Sequence, residues 1–183
     1  MMKFDLPDAA IELHEHFFNA QESASIMQAL ITEIDWQQYQ IKIFGKTLDQ
    51  PRLTAYHGVD HPYYAYSNIK LRPIPFTPIL LSIKSKIETL AGHQFNGVLL
   101  NYYRNGDDSM GWHADDEKEL GTNPVIASLS FGASRNFQMQ HRFQKSTPKQ
   151  SIILNDASLL VMHGETQHFW KHQIPKQKNK GPR

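Results

Sequence analysis

Asn101-Tyr-Tyr-Arg-Asn-Gly-Asp-Asp-Ser-Met-Gly-Trp-His113-Ala-Asp115-Asp116-Glu117 begins as a β-strand and runs on into an acidic loop. His113 and Asp115 stand two residues apart, so on an extended backbone their side chains share a face. An imidazole and a carboxylate on one face supply two of the three ligands of a facial metal site; a distant histidine would complete it. Just upstream, Leu99, Asn101 and Tyr103 alternate onto one face of the strand. Two polar groups there suit a small carboxylate or keto acid.

Outward from this stretch the hydrophobic period is two. Phe95 to Tyr103, Val125 to Phe131, Asn136 to Phe143, Ser151 to Leu154 and Ser158 to His163 all read as strands, with Asn155-Asp156 as a turn between the last two. Before them the period is four. Gln21 to Asp35 reads as an amphipathic helix with Ile26, Met27, Leu30, Ile31 and Ile34 on its apolar stripe. A second helix opens with Thr77 as N-cap and Pro78 in its first turn, buries Ile79, Ile83, Ile87 and Leu90, and ends at Gly92. Short strands after two helices predict an α+β, mainly β fold: a β-sandwich or jelly roll with the helices packed on one sheet.

The composition narrows the chemistry. With 183 residues and no linker or repeat, a single domain spanning 1–183 is expected. Zero cysteines exclude disulfides, iron–sulfur clusters and thiolate zinc sites, so a metal must be held by imidazole and carboxylate. There is no apolar run long enough to span a membrane, and no apolar segment before a cleavage site near the N-terminus, so a secreted or membrane protein is not expected. The net charge of +1 carries no global argument for a polyanionic partner. Locally, six acids and one lysine lie between Asp107 and Glu119, and five cations without an acid lie from Lys171 to Arg183. These read as a solvated loop and a frayed tail.

Other candidates surround the metal pair. Gln40 to Lys46 reads as a strand ending in a hairpin tip, Phe44-Gly45-Lys46, where Phe44 either returns to the core or acts as a wedge for a base stack. Tyr64 and Tyr66, either side of Ala65, share a face and either pad a core or stack a planar ligand. For the third metal ligand, His163, His168 and His172 compete, and spacing does not choose among them.

Taken in order, these stretches resemble the AlkB-type iron(II)/2-oxoglutarate dioxygenases that reverse alkylation damage in nucleic acids. The resemblance runs from about Ile41 to Arg183: Phe44-Gly45-Lys46, Tyr64-x-Tyr66, Asn101-x-Tyr103, His113-x-Asp115-Asp116-Glu117, Ser128-x-Ser130-Phe131-Gly132-Ala133-x-Arg135, His172-x-x-Pro175 and Pro182-Arg183. It is nearest the double-strand-competent members, which carry a Phe-Gly finger. It implies a double-stranded β-helix core over about 95–183 and a nucleotide-recognition lid over about 36–75. It also implies iron(II) on His113, Asp115 and His172, 2-oxoglutarate on Asn101 and Tyr103, and dioxygen as the oxidant. Asp116 and Glu117 would meet the damaged base, Tyr64, Ala65 and Tyr66 would line its pocket, and Phe44, Gly45 and Lys46 would fill the gap that the base leaves.

The family closes with Arg-x-Asn-x-Thr-x-Arg, and Arg183 corresponds to its first arginine, which the resemblance adds to Asn101 and Tyr103 as a 2-oxoglutarate-binding residue. A missing final strand and weaker co-substrate binding are therefore expected. The implied activity is oxidative demethylation of 1-methyladenine and 3-methylcytosine in DNA, single- or double-stranded, releasing formaldehyde and succinate. A monomer is implied, cytoplasmic, or nuclear in a eukaryote. The alternatives are a related dioxygenase acting on RNA or protein, and a nucleic-acid-binding β-domain with a degraded co-substrate site.

Overall fold

A computed structural model describes residues 1–43, 45–59, 64–66 and 69–183, leaving aside the side chains of 42–43, 64–66 and 69–70. The chain opens with strands β1 (Met2–Lys3) and β2 (Ala10–His14), then helix α1 (Ala20–Glu33). Two hairpins flank strand β5 (Leu53–Gly58): β3 (Gln40–Ile43) with β4 (Lys46–Asp49), and β6 (Tyr64–Tyr66) with β7 (Ile69–Leu71). Helix α2 (Pro78–Ala91) leads into β8 (Gly97–Tyr102), β9 (Met110–His113), β10 (Ile126–Ser130), β11 (Arg135–His141), β12 (Gln150–Leu154) and β13 (Ser158–His163). A single turn, α3 (Thr166–Phe169), then delivers the chain into β14 (Trp170–Ile174).

Two four-stranded antiparallel sheets result, in the orders β1-β2-β13-β10 and β12-β11-β14-β9. One apolar cluster joins them: Ile11, Leu13, Leu160 and Met162 from the first sheet meet Phe137, Met139, Ile152, Leu154, Trp170 and Ile174 from the second. The sheets therefore face each other across a shared core, as the strand pattern predicts for a jelly roll. β13 is buried on both sides. Its Leu160 and Met162 face the second sheet, while Leu159 and Val161 join a separate cluster with Leu30, Ile34, Leu80, Ile83 and Ile87 of the helical layer. Burying a leucine fully contributes on the order of 2 kcal/mol, so this strand ties both layers together.

Both expected helices form, the first over Ala20–Glu33 rather than Gln21 to Asp35, and the second bounded by the signals read for it. Asn19 caps α1 in a reciprocal box with Glu22, and Thr77 caps α2 ahead of Pro78. Gly92 closes α2 in the left-handed region, with φ 61°. The buried face of α2 differs from the expected one. Leu80, Ile83 and Ile87 are buried, Ile79 is half-buried and Leu90 is 39% exposed, lining a surface cavity with His93, Val125 and His163. The hairpin expected at residues 40–46 is present in the backbone: Ile43 pairs with Lys46, and Gly45 holds the turn at φ 77°. Phe44 lies outside the described residues, as do the side chains of Tyr64, Ala65 and Tyr66.

Strands β1, β2 and β5 were not signalled by periodicity. β2 alternates weakly, and β5 lies in a Tyr- and His-rich stretch whose polar residues are nonetheless buried: Arg52, Thr54 and His57 all fall under one-tenth exposed. The basic tail is not frayed either. Gln177 N–H donates to Gly106 O, Ala133 N–H to Pro182 O, and Tyr103 and Arg183 exchange both main-chain bonds, each at 2.9 Å. Gly132 is where this approach demands a glycine, since a Cβ there would stand 2.6 Å from Pro182 O, and its φ is 81°.

Candidate active site

His113 ends β9, and the β9–β14 ladder sets it directly opposite His172. Asp115 follows on the loop. One ligand atom from each of the three residues lies within 4.8 Å of the other two. Asp115 spans the imidazoles, with Oδ1 3.7 Å from His113 Nε2 and Oδ2 3.5 Å from His172 Nε2. The rings meet edge-on, centroids 4.1 Å apart, and Phe137 stacks on His172 from β11 at 5.0 Å. His113 Nδ1 lies 2.9 Å from Gly111 O. A carbonyl can only accept, so the proton belongs on Nδ1 and the Nε2 lone pair of the neutral ring faces the cluster.

The strand ladder thus sets His172, and neither of the other two candidate histidines, beside His113 and Asp115. His168 is exposed and bonds Asn123 Oδ1 at 2.8 Å, and it sits in α3 rather than alternating with Trp170 and His172. His163 faces elsewhere, lining a surface cavity with Glu12 and His93.

Burial dominates the electrostatics here. It raises the Asp115 carboxyl, with His113 pulling down and Asp116 pushing up. It also lowers His172 well below the ordinary imidazole value, with His113 adding to the effect. Glu117 is pushed up to about 7, first by burial and then by the neighbouring carboxylates, and its Oε2 has no hydrogen-bond partner among the described residues. Asp116 is exposed and accepts from Arg142 Nη1 at 2.8 Å. Two imidazoles and one carboxylate converging in a half-dry site form a donor set that fits a divalent transition metal.

The other end of the interior has the opposite character. Tyr103 is buried, and burial raises its phenol against the pull of Arg52, Arg183 and Arg135. The Arg135 guanidinium lies 5.6 Å from the Tyr103 ring centre. Arg183 donates to Ser130 Oγ at 2.6 Å and to Leu154 O at 3.2 Å, and burial pushes its pKa down to about 10. Arg52 Nε donates to Asn101 Oδ1 at 2.7 Å, which turns the amide nitrogen of Asn101 the other way. Arg135 spends its two terminal nitrogens on Asn105 O, Asp108 O and Pro175 O, and its Nε is buried without a partner among the described residues. The acid at this end, Asp108, is held by Arg104 through two side-chain bonds of 2.8 Å. Three enclosed guanidinium groups with one already committed carboxylate favour an anion.

Asn101, Tyr103 and Arg183 were named from the sequence, and the fold brings them together. Arg135 stood at the end of a family motif without a role, and Arg52 was not singled out. Arg135 could have been found, because it alternates with Phe137, Met139 and His141 on one face of β11, where an arginine is out of place unless buried for a reason.

The family model of the 2OG-Fe(II) oxygenase superfamily matches residues 10–183. The chain belongs to that superfamily. Iron(II), 2-oxoglutarate and dioxygen are the cofactor, co-substrate and oxidant of its members, and the imidazole–carboxylate cluster and the cationic end fit the first two. The alpha-ketoglutarate-dependent dioxygenase alkB homolog 3 of Rattus norvegicus is 40% identical over 176 residues, 90% of this chain and 58% of that protein. The DNA oxidative demethylase ALKBH2 of Homo sapiens is 34% identical over 170 residues, 88% of this chain and 65% of that protein. The chain thus spans about three-fifths of the length of these relatives. Among solved structures, OsALKBH1 superposes with a TM-score of 0.64 at 15% identity, over 95% of this chain and 88% of that one, a likeness of fold.

Proposed function

We propose that this oxygenase oxidatively demethylates N-alkylated bases in DNA, with 1-methyladenine and 3-methylcytosine as substrates and formaldehyde and succinate as products. The observation that carries the reading is the cross-strand pairing of His113 with His172 around Asp115, in a chain whose relatives include proteins named DNA oxidative demethylases.

His113, Asp115 and His172 would hold iron(II), and three ligands leave room for a bidentate keto acid and dioxygen. Bound iron, 2-oxoglutarate and dioxygen supply the oxidation that hydroxylates the N-methyl group, which then leaves as formaldehyde. Tyr103 and Arg183 would take the far carboxylate of the co-substrate, and Asn101 would donate its amide hydrogens from the orientation that Arg52 fixes. The enclosure of this end strengthens such a pair.

The substrate side is read from the lip of the site. Asp116 and Glu117 carry acid next to the metal cluster, which suits a lesion bearing positive charge. The hairpins β3–β4 and β6–β7 would form the recognition lid, over about 36–75 of a single domain spanning 1–183, with the jelly-roll core over about 95–183. On it, Phe44, Gly45 and Lys46 would be the finger, and Tyr64, Ala65 and Tyr66 the wall beside a flipped base. The protein would work as a monomer on single- or double-stranded DNA, in the cytoplasm or nucleus; among the described residues no helix is long and apolar enough to cross a membrane.

The test has two readouts. Anaerobic addition of iron(II) and 2-oxoglutarate should produce the charge-transfer absorption of the chelated keto acid. A 3-methylcytosine oligonucleotide with oxygen should then release formaldehyde and succinate in equal amounts. Absorption without formaldehyde would redirect the search to another substrate, and no absorption would overturn the oxygenase reading.

A further inference from the structure

Outside the cluster itself, a buried glutamine holds the ligand loop. Gln167 is 1% exposed, in the single turn α3 that precedes β14. Its Oε1 accepts the Asp115 main-chain N–H at 2.9 Å, while its Nε2 faces Met162 Sδ at 3.6 Å. The amide has one productive orientation, since turning it over would set N–H against N–H. The turn that carries it is fixed from two sides. Thr166 Oγ1 donates to His163 O at 2.6 Å and accepts from Ala10 N–H at 2.9 Å, and Phe169 O accepts from Arg142 N–H at 2.7 Å. Arg142 Nη1 spans the same seam, 3.2 Å from Gln167 O and 2.8 Å from Asp116 Oδ2.

We propose that Gln167 is a positioning residue for the metal ligands. It clamps the backbone of Asp115 to the turn that launches the His172 strand, so that a carboxylate on a loop keeps the geometry of two histidines on strands. The idea rests on the metal-site reading above, and it goes further in giving a residue that touches no metal a measurable share of metal affinity. A loop carboxylate left unclamped samples orientations that a strand does not, and the fraction competent to bind falls.

The probe is manganese(II) alone, titrated into the full chain and followed by the electron paramagnetic resonance of the free ion. Binding by the unmodified protein that Asp115→Ala abolishes establishes the site; its absence would sink the metal reading whatever Gln167 does. Gln167→Met keeps volume and loses the acceptor, and should weaken manganese(II) at least about tenfold, the usual size of an outer-partner loss. Gln167→Glu keeps an acceptor and should stay within about threefold. Equal affinity in unmodified protein and Gln167→Met overturns the proposal, as does equal weakening in both variants. If Gln167→Met does not fold, Gln167→Glu decides: retained affinity supports the clamp, and a tenfold loss overturns it.

Discussion

The two ends of the jelly-roll interior are built on opposite principles. At one end, His113, Asp115 and His172 converge from adjacent strands and a loop, with oxygens and ring nitrogens 3.5–3.7 Å apart. At the other, Arg52, Arg135 and Arg183 surround Tyr103 from three separate parts of the chain. The first end gathers ligand atoms suited to a cation, and the second gathers positive charge suited to an anion. In the function proposed above, a keto acid chelated to a metal would answer both at once, with its keto-carboxylate head at the metal and its far carboxylate among the arginines. The two ends also differ in construction: neighbouring strands build the first, and long-range closure builds the second. They should therefore fail separately.

The largest break is expected at the metal. Asp115→Ala removes the sole carboxylate of the cluster, and since losing an outer partner of a metal ligand already costs tenfold to a hundredfold, turnover should drop by more than about a hundredfold. Manganese(II) affinity should drop with it. Arg183→Met should instead leave manganese(II) affinity unchanged and raise the KM for 2-oxoglutarate by roughly tenfold to a hundredfold, the worth of charge-assisted hydrogen bonds. If Arg183→Met weakened metal binding as much as co-substrate binding, the two ends would be one cooperative unit and the contrast would fail.

The same contrast governs what the sequence made legible. His-x-Asp is visible because β-pleating puts i and i+2 on one face, and one family pattern then singled out His172 among three candidates. Strand pairing later gave that choice a physical basis, since His172 is the histidine opposite His113. The second helix was legible through Thr77, Pro78 and Gly92 and the first through its apolar stripe, while the Asn19 cap emerges from the structure. The cationic end was only partly so. Asn101 and Tyr103 show as an alternating pair, but nothing local says that Arg52 will lie 2.7 Å from Asn101 across the β5–β8 ladder, 49 residues apart. Gln167 has no local signal at all: an isolated glutamine becomes informative once its partner, the Asp115 amide 52 residues away, is known. The tail misled for a related reason. Lysines suggest a solvated end, whereas the neutral atoms of Gln177, Pro182 and the Arg183 main chain do the docking.

A third intervention separates the core from the proposed lid. Phe44→Ala should lower turnover on duplex substrate by roughly tenfold while changing it little on single strands, because a wedge matters only where a base leaves a stack; stacking on that scale is worth about 1–3 kcal/mol. The KM for 2-oxoglutarate and the manganese(II) affinity should not move, since the finger would belong to neither end. Equal losses on both substrates would remove the finger role from Phe44.

The smallest effect is expected at Asp108, the acid that the cationic end keeps. Burial raises its carboxyl, but the side-chain and main-chain bonds from Arg104 outweigh that and leave it below the ordinary carboxylate value. A carboxylate depressed in the fold adds stability that is complete above its unfolded pKa, near 4, and is lost as pH falls through the lower folded value. Asp108→Asn should therefore be less stable than the unmodified chain at neutral pH, with the gap closing as the pH drops below about 4. Arg104 is 40% exposed and water screens the pair, so the neutral-pH loss should be about 1 kcal/mol, or a melting shift of about 2–4 °C. Removing a negative charge from among the arginines should also hold or lower the KM for 2-oxoglutarate even as stability falls. A rise in KM would mean that Asp108 shapes the pocket through Arg135, which donates to its main-chain oxygen at 2.7 Å, more than it opposes the anion by charge.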